Sequence, residues 1–341
     1  MRRVLALLLT GLVACSAASA TSTSESDIGT RPPRAWTPAP PKTGNLRLAT
    51  FNVRNFPSDA LLTGGDAGAA ETDQRPRVVR TQDETDEAML IDLLDRLDFD
   101  LLAVQEINDT ARFEAVLARL GAKNGRSYQA IFSTAWEHPQ HVGVVLRTDR
   151  LRLDDPRIHG EIATRPTMRA GLSARVTSAK PGGVDFGVLV LHLASGDTSG
   201  RAAFRAEQGR FAADVVAKLQ AEANDRDFVV MGDLNTAKGE GEMPGLDAAM
   251  RGLSRQPNEA ACTSYYVKGK NVVDVQPALI DHVYLASMDE RDRTVPVTAG
   301  AHCYERSCQP FESDSSEHGT SYWGVSDHCP VYFEIADEDR D

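Results

Sequence analysis

The chain has 341 residues, of which 41% are hydrophobic and 25% are charged, a composition typical of a globular protein with a large core. Its formal net charge of −12 argues against a generally basic surface for gripping nucleic acid. A local arginine cluster and a metal ion would still suffice to hold a phosphate group. Composition therefore excludes a polybasic DNA-coating protein, but it does not exclude an enzyme that acts on phosphate esters.

The first 20 residues have the pattern of an export signal. Two arginines precede the apolar run Val4–Ala14, which is too short to span a bilayer as a helix. The segment Leu12–Cys15 resembles a bacterial lipobox, which predicts acylation of Cys15 and a cell-envelope lipoprotein. The alternative is ordinary cleavage after Ala18–Ala20, which removes Cys15 and gives a secreted protein. Both alternatives predict an exported bacterial protein.

Residues 21–44 are rich in Ser, Thr and Pro and contain few apolar side chains, so we predict a disordered or extended tether there. Residues 45–336 then form the predicted folded domain. If Cys15 is acylated, the tether holds this domain away from the membrane surface. The domain is expected to be a monomer.

Hydrophobic periodicity predicts the secondary structure of the domain. The predicted helices are Glu84–Leu97, Ala111–Leu120 and Ala202–Ala221. The predicted strands begin near Leu46 and then cover Leu101–Val104, Tyr128–Phe132, Val142–Leu146, Leu172–Val176, Phe186–Leu193, Phe228–Met231, Leu279–Leu285 and Val331–Ile335. Many strands with helices between and outside them indicate an α/β protein with two packed sheets.

Four cysteines follow Cys15, and an even number in an exported chain suggests two disulfide bonds. Cys303 and Cys308 are close enough in sequence to close a short loop, which leaves Cys262 to pair with Cys329. A zinc site is the alternative, but the spacing differs from that of a Cys-x-x-Cys site.

Polar residues stand where the predicted strands end, which is where α/β folds place their ligands. Glu106 and Asn52 have the chemistry of ligands for a hard cation, although either is also an ordinary residue at the exit of a strand. Asp233 and Asn235 are two residues apart, so an extended backbone points both to one side; a simple turn is the alternative. His192 is either a site residue or a satisfied core histidine.

The last candidates come from two adjacent pairs. Asp281 and His282 are neighbours on a strand and face opposite sides, and we select Asp281 to orient an imidazole. Asp327 and His328 precede a short loop segment where neighbouring side chains are able to converge.

In order and combination, these segments resemble the endonuclease/exonuclease/phosphatase superfamily, which includes deoxyribonucleases of the pancreatic type, inositol polyphosphate 5-phosphatases and bacterial sphingomyelinases. The matching segments are Thr50-Phe-Asn52, Val104-Gln-Glu106, Arg165-Pro166, Leu191-His192-Leu193, Gly232-Asp-Leu-Asn235, Ile280-Asp281 and Ser326-Asp-His328. The resemblance covers about residues 46–335. It implies a four-layer α/β sandwich, with two packed mixed β-sheets flanked by helices.

The resemblance also implies roles for individual residues. Glu106 is the main ligand of Mg²⁺, or of Mn²⁺ or Ca²⁺, with Asn52 and Asp327 nearby. Asp281 raises the basicity of His328. The remaining implied roles are leaving-group assistance by His192, water activation by His328 or Asp233, and phosphate contacts by Asn235 and Arg165.

Two departures from the family pattern stand out. Arg54 replaces a second acidic ligand of the apurinic endonucleases, which favours one principal metal site. Residues 301–324 form a Cys-containing aromatic insertion, which is either a plain surface loop or a lid. We therefore expect an exported metal-dependent phosphodiesterase acting on nucleic acid. The alternatives are a phosphatase or sphingomyelinase-type phospholipase, and a non-catalytic cell-surface binding module.

Overall fold

The computed structural model describes residues 35–58, 84–236, 242–267, 274–312 and 320–340. The predicted export signal, with Cys15, lies outside these residues, as do residues 21–34 of the predicted tether. Among the described helices, none is long and apolar enough to cross a membrane.

Fifteen strands and seven helices follow one another along the described chain. The strands are β1 Asn45–Phe56, β2 Leu101–Ile107, β3 Tyr128–Phe132, β4 His141–Arg147, β5 Leu151–His159, β6 Gly171–Ser178, β7 Asp185–His192, β8 Phe228–Asp233, β9 Ser254–Arg255, β10 Ser264–Val267, β11 Asp274–Ala278, β12 Asp281–Ala286, β13 Thr298–Ala299, β14 Phe311–Glu312 and β15 Val331–Ala336. The helices are α1 Glu87–Leu97, α2 Thr110–Asn124, α3 Gly160–Ala163, α4 Ser199–Ala223, α5 Met243–Ala249, α6 Ala301–Glu305 and α7 Ser321–Gly324.

The strands form two sheets of six strands each and one small sheet. The first sheet has the order β13-β15-β1-β2-β4-β3 and the second has the order β5-β6-β7-β8-β12-β9. Both are mixed, because β1 pairs parallel to β2 and β7 pairs parallel to β8, whereas the other pairs are antiparallel. A parallel pair aligns the carboxyl ends of its strands, so each sheet brings two strand ends together at the same edge.

Successive side chains of a strand point to opposite faces of its sheet, which explains how each sheet packs against the other sheet on one face and against helices on the other face. On β1, Leu48 contributes to the core between the two sheets, whereas Phe51 packs with the cluster that includes α1 and α2. On β7, Val188 and Val190 belong to the core between the sheets, and Leu189 packs with the α4 cluster. The two mixed sheets, flanked by helices, confirm the predicted α/β sandwich.

Strand β5 is one of the elements that the sequence did not indicate. In Leu151–His159, only the first and last residues are buried, because the strand lies at the edge of the second sheet. An edge strand with few buried side chains lacks the alternation that identifies strands in a sequence. The small β10-β11-β14 sheet was missed as well, since its strands are short.

Both disulfides are present, but the predicted pairing is wrong: Cys262 bonds to Cys308, and Cys303 bonds to Cys329. The backbone closes the short loop instead, because the Cys308 N–H donates to the Cys303 carbonyl at 3.0 Å. The buried Cys303 side chain on α6 is then free to reach Cys329. All four of these cysteines are disulfide-bonded, so none of them supplies a thiolate to the alternative zinc site.

Residues 35–44, the described part of the predicted tether, contact the folded domain. Within residues 35–44, the Trp36 side chain is 1% exposed and packs against Tyr332, with ring centroids 6.1 Å apart. The Trp36 N–H donates to Glu305, and Arg96 donates to the Trp36 carbonyl. One large aromatic side chain is enough to fix this segment, because burying it removes a large apolar area from water.

Candidate active site

The parallel strand pairs deliver four polar side chains to the space where the two sheets meet. Asn52 and Glu106 come from β1 and β2 of the first sheet, and His192 and Asp233 come from β7 and β8 of the second. The Asn52 side-chain nitrogen donates to Glu106 Oε1 at 3.1 Å and to Asp233 Oδ2 at 2.9 Å. One amide thus joins the two sheets at the candidate site.

Asn52 directs its amide nitrogen, not its oxygen, to the carboxylates. The oxygen accepts the Arg54 N–H at 2.9 Å, because the backbone turns back at Arg54, whose φ is +46°. In this arrangement Asn52 orients Glu106 and Asp233. Its predicted role as a metal ligand would require the amide to turn over.

His192 lies between the same two carboxylates. Its Nε2 atom is 3.4 Å from Asp233 Oδ2 and 3.6 Å from Glu106 Oε1. Burial holds the pKa of His192 well below its ordinary value, and the positive charge of Arg169 lowers it further. His192 is therefore neutral near pH 7. It is able to donate a hydrogen bond, but it does not readily accept a further proton.

A close backbone approach sets His192 opposite Asp233 in the sheet register. Gly232 has a φ of +149°, and a Cβ atom at this position would come within 2.0 Å of the Leu191 carbonyl oxygen. Only glycine tolerates both conditions. The Gly-Asp-Leu-Asn segment therefore needs its glycine to bring β8 against β7.

Asp281 and His328 form a buried pair. The His328 Nδ1 atom lies 3.0 and 3.2 Å from the two carboxylate oxygens of Asp281, and His328 Nε2 lies 3.7 Å from Asp233 Oδ2. Burial alone would lower the pKa of His328, but the negative charges of Asp281 and Asp233 raise it well above its ordinary value. Adjacent His282 faces elsewhere, with Nε2 at 2.8 Å from Thr236 Oγ1.

Ser326 connects this pair to the first sheet. Its hydroxyl donates to the Asn52 carbonyl at 2.7 Å and accepts the His328 N–H at 3.0 Å. The serine of the Ser-Asp-His segment thus fixes the loop that carries His328 against β1.

The carboxylates of Glu106 and Asp233 fit a divalent cation. Burial raises the pKa of both groups, and that of Asp233 reaches about 7. Among the described residues, only histidines form ion pairs with these two carboxylates. Burying carboxylates close to one another is costly, and a hard cation bound to their oxygens offsets that cost. Glu106, His192 and Asp233 also present ligand atoms within 4.8 Å of one another.

Three further predicted site residues have side chains that contact groups other than Asp233 and His328: Asp327, Asn235 and Arg165. Asp327 lies 3.9 Å from Arg54 Nε, and its negative charge contributes to the raised pKa of Glu106. Asn235 was expected to extend to the same side as Asp233; its φ of +50° departs from an extended backbone, and its side-chain nitrogen donates to the Leu193 carbonyl at 3.1 Å. Arg165 is exposed, with its guanidinium 4.8 Å from the Phe204 ring.

Sequence reasoning missed Arg169, a buried arginine behind the site. It donates to the carbonyls of His192 and Leu193 at 3.2 and 2.7 Å and to Gln140 Oε1 at 2.9 Å. Gln140 in turn donates to Asn55, whose backbone N–H donates to Glu106 Oε2. This chain of hydrogen bonds orients Glu106. The available signal was a second arginine four residues after Arg165, but its burial cannot be read from the sequence.

Two sheets that present carboxylate and imidazole groups at their joined strand ends define a metal-dependent phosphoric ester hydrolase. Residues 49–328 match the model of the Endonuclease/Exonuclease/phosphatase family, and the chain belongs to this family of metal-dependent phosphoric ester hydrolases. The resemblance inferred from the sequence motifs is thereby confirmed. A comparison with curated protein sequences finds no match.

Solved structures share the fold at low sequence identity. The human Nocturnin catalytic domain with bound sulfate anion aligns with a TM-score of 0.53 and 16% identity over 89% of this chain and 98% of that chain. D. rerio TDP2 complexed with single strand DNA product aligns with a TM-score of 0.54 and 17% identity over 85% of this chain and 98% of that chain. An endonuclease/exonuclease/phosphatase family protein from Bacteroides thetaiotaomicron gives a TM-score of 0.53, with 16% identity over 86% of this chain and 98% of that chain.

Proposed function

We propose that this protein is an exported phosphodiesterase that hydrolyses nucleic acid. The observation that carries the proposal is that His192 and His328 both lie within 3.7 Å of the Asp233 carboxylate, while His192 also lies 3.6 Å from Glu106. These groups come from both sheets and from the loop that carries His328, and they place carboxylate and imidazole groups next to one another. Hydrolysis of a phosphodiester needs both kinds of group, one for a cation and one for proton movement.

Glu106 and Asp233 would hold the divalent cation, and Asp327, whose negative charge acts on Glu106, is the further candidate carboxylate. The bound ion supplies charge stabilisation to the phosphoryl group and the leaving oxygen. Asp233 and His328 face each other at 3.7 Å, and the proton removed from the attacking water ends on this pair. Asp281 orients the His328 ring through Nδ1. His192, held neutral, donates a hydrogen bond from the opposite side to the leaving oxygen.

Two observations support nucleic acid over a lipid head group. In the described part of the 301–324 insertion, the aromatic rings pack on each other: Phe311 lies 5.1 Å from Tyr265 and 5.0 Å from Tyr322. Among the described large hydrophobic residues only Tyr304 is exposed, so little apolar surface is offered to a membrane there. In addition, the D. rerio TDP2 structure contains a single strand DNA product.

Export is supported by the two disulfides, because such bonds persist in oxidising compartments outside the cytoplasm. The lipobox-like segment around Cys15 adds a specific form of the proposal, in which the enzyme is anchored to the envelope. Mass spectrometry of the mature N-terminus tests it: a diacylated Cys15 supports the anchor, whereas an N-terminus after Ala20 identifies a secreted protein.

A substrate panel tests the activity. The purified full chain is incubated with Mg²⁺, Mn²⁺ or Ca²⁺ and with plasmid DNA, RNA, sphingomyelin or inositol phosphates. Cleavage of DNA or RNA that requires a metal is the expected result, and His328→Ala is the inactive control for contaminating nuclease. Selective hydrolysis of sphingomyelin or inositol phosphates would replace the nuclease proposal. A folded protein that hydrolyses none of them would point to a binding module.

A further inference from the structure

Thr263 lies behind the Asp281–His328 pair and contacts the backbone on both sides of it. The residue is fully buried, just before β10. Its hydroxyl oxygen accepts the N–H groups of Ile280 and Asp281, at 3.1 and 3.0 Å. These N–H groups stand where the chain enters β12, so the hydroxyl fixes the backbone that carries the Asp281 carboxylate.

The backbone of Thr263 holds the other half of the pair. Its carbonyl accepts the N–H of Cys329, the residue that follows His328, at 2.8 Å. The pairing continues along the chain, because Ser264 forms an antiparallel bridge with His328 and the Tyr265 N–H donates to the Asp327 carbonyl. The 263–265 segment is therefore hydrogen-bonded both to the backbone at Asp281 and to the backbone around His328.

Disulfide bonds tie the 263–265 segment and the loop that carries His328 to the same region of the chain. Cys262, immediately before Thr263, bonds to Cys308, and Cys329, immediately after His328, bonds to Cys303. The 263–265 segment and the loop that carries His328 are each joined by a disulfide bond to the 301–308 region. These bonds limit how far the two segments move relative to one another. Within this frame, the Thr263 hydroxyl is the side-chain contact that adjusts the position of Asp281.

We propose that Thr263 is a positioning residue that sets the contact between the Asp281 carboxylate and His328 Nδ1. The inference rests on the proposed function, because this contact affects turnover only if His328 acts in hydrolysis. Removing the hydroxyl leaves two buried N–H groups that must find other acceptors, so the backbone at Asp281 shifts. Catalytic groups must keep their geometry to within a fraction of an ångström, and the imidazole loses its orientation when the carboxylate moves.

The test compares Thr263→Val, which keeps the shape without the acceptor, with Thr263→Ser, which keeps the hydroxyl. Ser178→Ala is the matched control, since Ser178 is a buried hydroxyl that accepts the Lys180 N–H near the end of β6. The measurements are kcat and KM for a phosphodiester with saturating Mg²⁺, Tm, and the downfield proton resonance of His328 Nδ1–H, assigned by its loss in His328→Ala.

We expect Thr263→Val to lower kcat by about 10²-fold with little change in KM, and to shift or broaden the His328 resonance. Thr263→Ser should restore both. Ser178→Ala should lower Tm while leaving kcat and the resonance unchanged. If Thr263→Val does not fold, Thr263→Ala takes its place, because it also removes the acceptor and the smaller side chain introduces no new contact.

Wild-type kcat and an unchanged resonance in the hydroxyl-free variant would overturn the proposal. Failure of Thr263→Ser to restore kcat would also overturn it, because the methyl group and not the hydroxyl would then be responsible. If the wild type hydrolyses no phosphoester, the proposed function fails, whereas the resonance still reports on positioning. The two failures are therefore distinguishable.

Discussion

Glu106 and Asp233, from different sheets, share a single donor: the side-chain nitrogen of Asn52 contacts both carboxylates, at 3.1 and 2.9 Å. Burial raises the pKa of both acids, and the positive charge of His328 offsets this effect only in part. This is the arrangement that a divalent ion relieves.

Metal binding should therefore stabilise the fold. Mg²⁺ or Mn²⁺ at about 100 times its dissociation constant should raise the free energy of unfolding by about 2.7 kcal/mol, and chelation with EDTA should reverse this and abolish activity. Glu106→Gln should remove the stabilisation, as measured by calorimetric titration and thermal unfolding. Glu114→Gln, at an exposed position on α2, is the control. Equal metal binding by Glu106→Gln and wild type would contradict this site.

The Asp281–His328 contact predicts a loss of turnover without loss of substrate binding. Asp281→Asn removes the charge that orients the imidazole, and kcat should fall by about 10²-fold or more, as should that of His328→Ala. Because the two residues act as a unit, the double variant should be little worse than either single variant. Asp154→Asn, at an exposed position on β5, should keep wild-type kcat. Fully additive losses would show that the residues act separately.

Arg169 and Arg165 should behave differently although they are four residues apart. Arg169→Met removes three donors from buried carbonyl oxygens, so the free energy of unfolding should fall by about 3 kcal/mol, and Arg169→Lys should not restore it. Arg165→Met loses one exposed contact over Phe204 and should cost about 1 kcal/mol or less. Urea unfolding measures both. A raised KM in Arg165→Met alone would support its predicted contact with the substrate phosphate.

The disulfide pairing is directly checkable. A non-reduced digest analysed by mass spectrometry should contain the Cys262–Cys308 and Cys303–Cys329 peptides. The closed loops separate cysteines by 46 and 26 residues, and removing either bond should lower stability by about 3–4 kcal/mol, the second somewhat less. Recovery of a Cys303–Cys308 peptide would disprove this arrangement.

Two buried histidines outside the proposed chemistry predict acid sensitivity. Burial lowers the pKa of His302 to about 3 and that of His282 to about 4, whereas both titrate near 6.5 in an unfolded chain. Between about pH 6.5 and pH 4 the unfolded state binds more protons, so the free energy of unfolding decreases as the pH falls.

The His302→Gln variant isolates this effect. It should reduce the loss of stability between about pH 6.5 and pH 4 by about 3 kcal/mol relative to wild type, as measured by urea unfolding at several pH values. A variant with the same pH dependence as wild type would show that His302 accepts its proton in the folded state.

The sequence by itself determined the class of the fold, the family and the set of side chains at the strand ends. Hydrophobic runs identify central strands because those strands are buried on both faces, and the polar residues that follow them are conspicuous against an apolar background. These are local properties, so a single sequence carries them. Weakly patterned elements such as edge strand β5 carry no such signal.

Tertiary structure decided how those side chains are arranged. The contact of Asn235 with the Leu193 carbonyl goes with a positive φ, and the disulfide pairing joins cysteines 46 and 26 residues apart. The support that Arg169 and Thr263 give to the site depends on their burial against strands distant in sequence. Such relationships arise only when separate segments pack together, because hydrogen-bond partners across two sheets have no fixed separation along the chain.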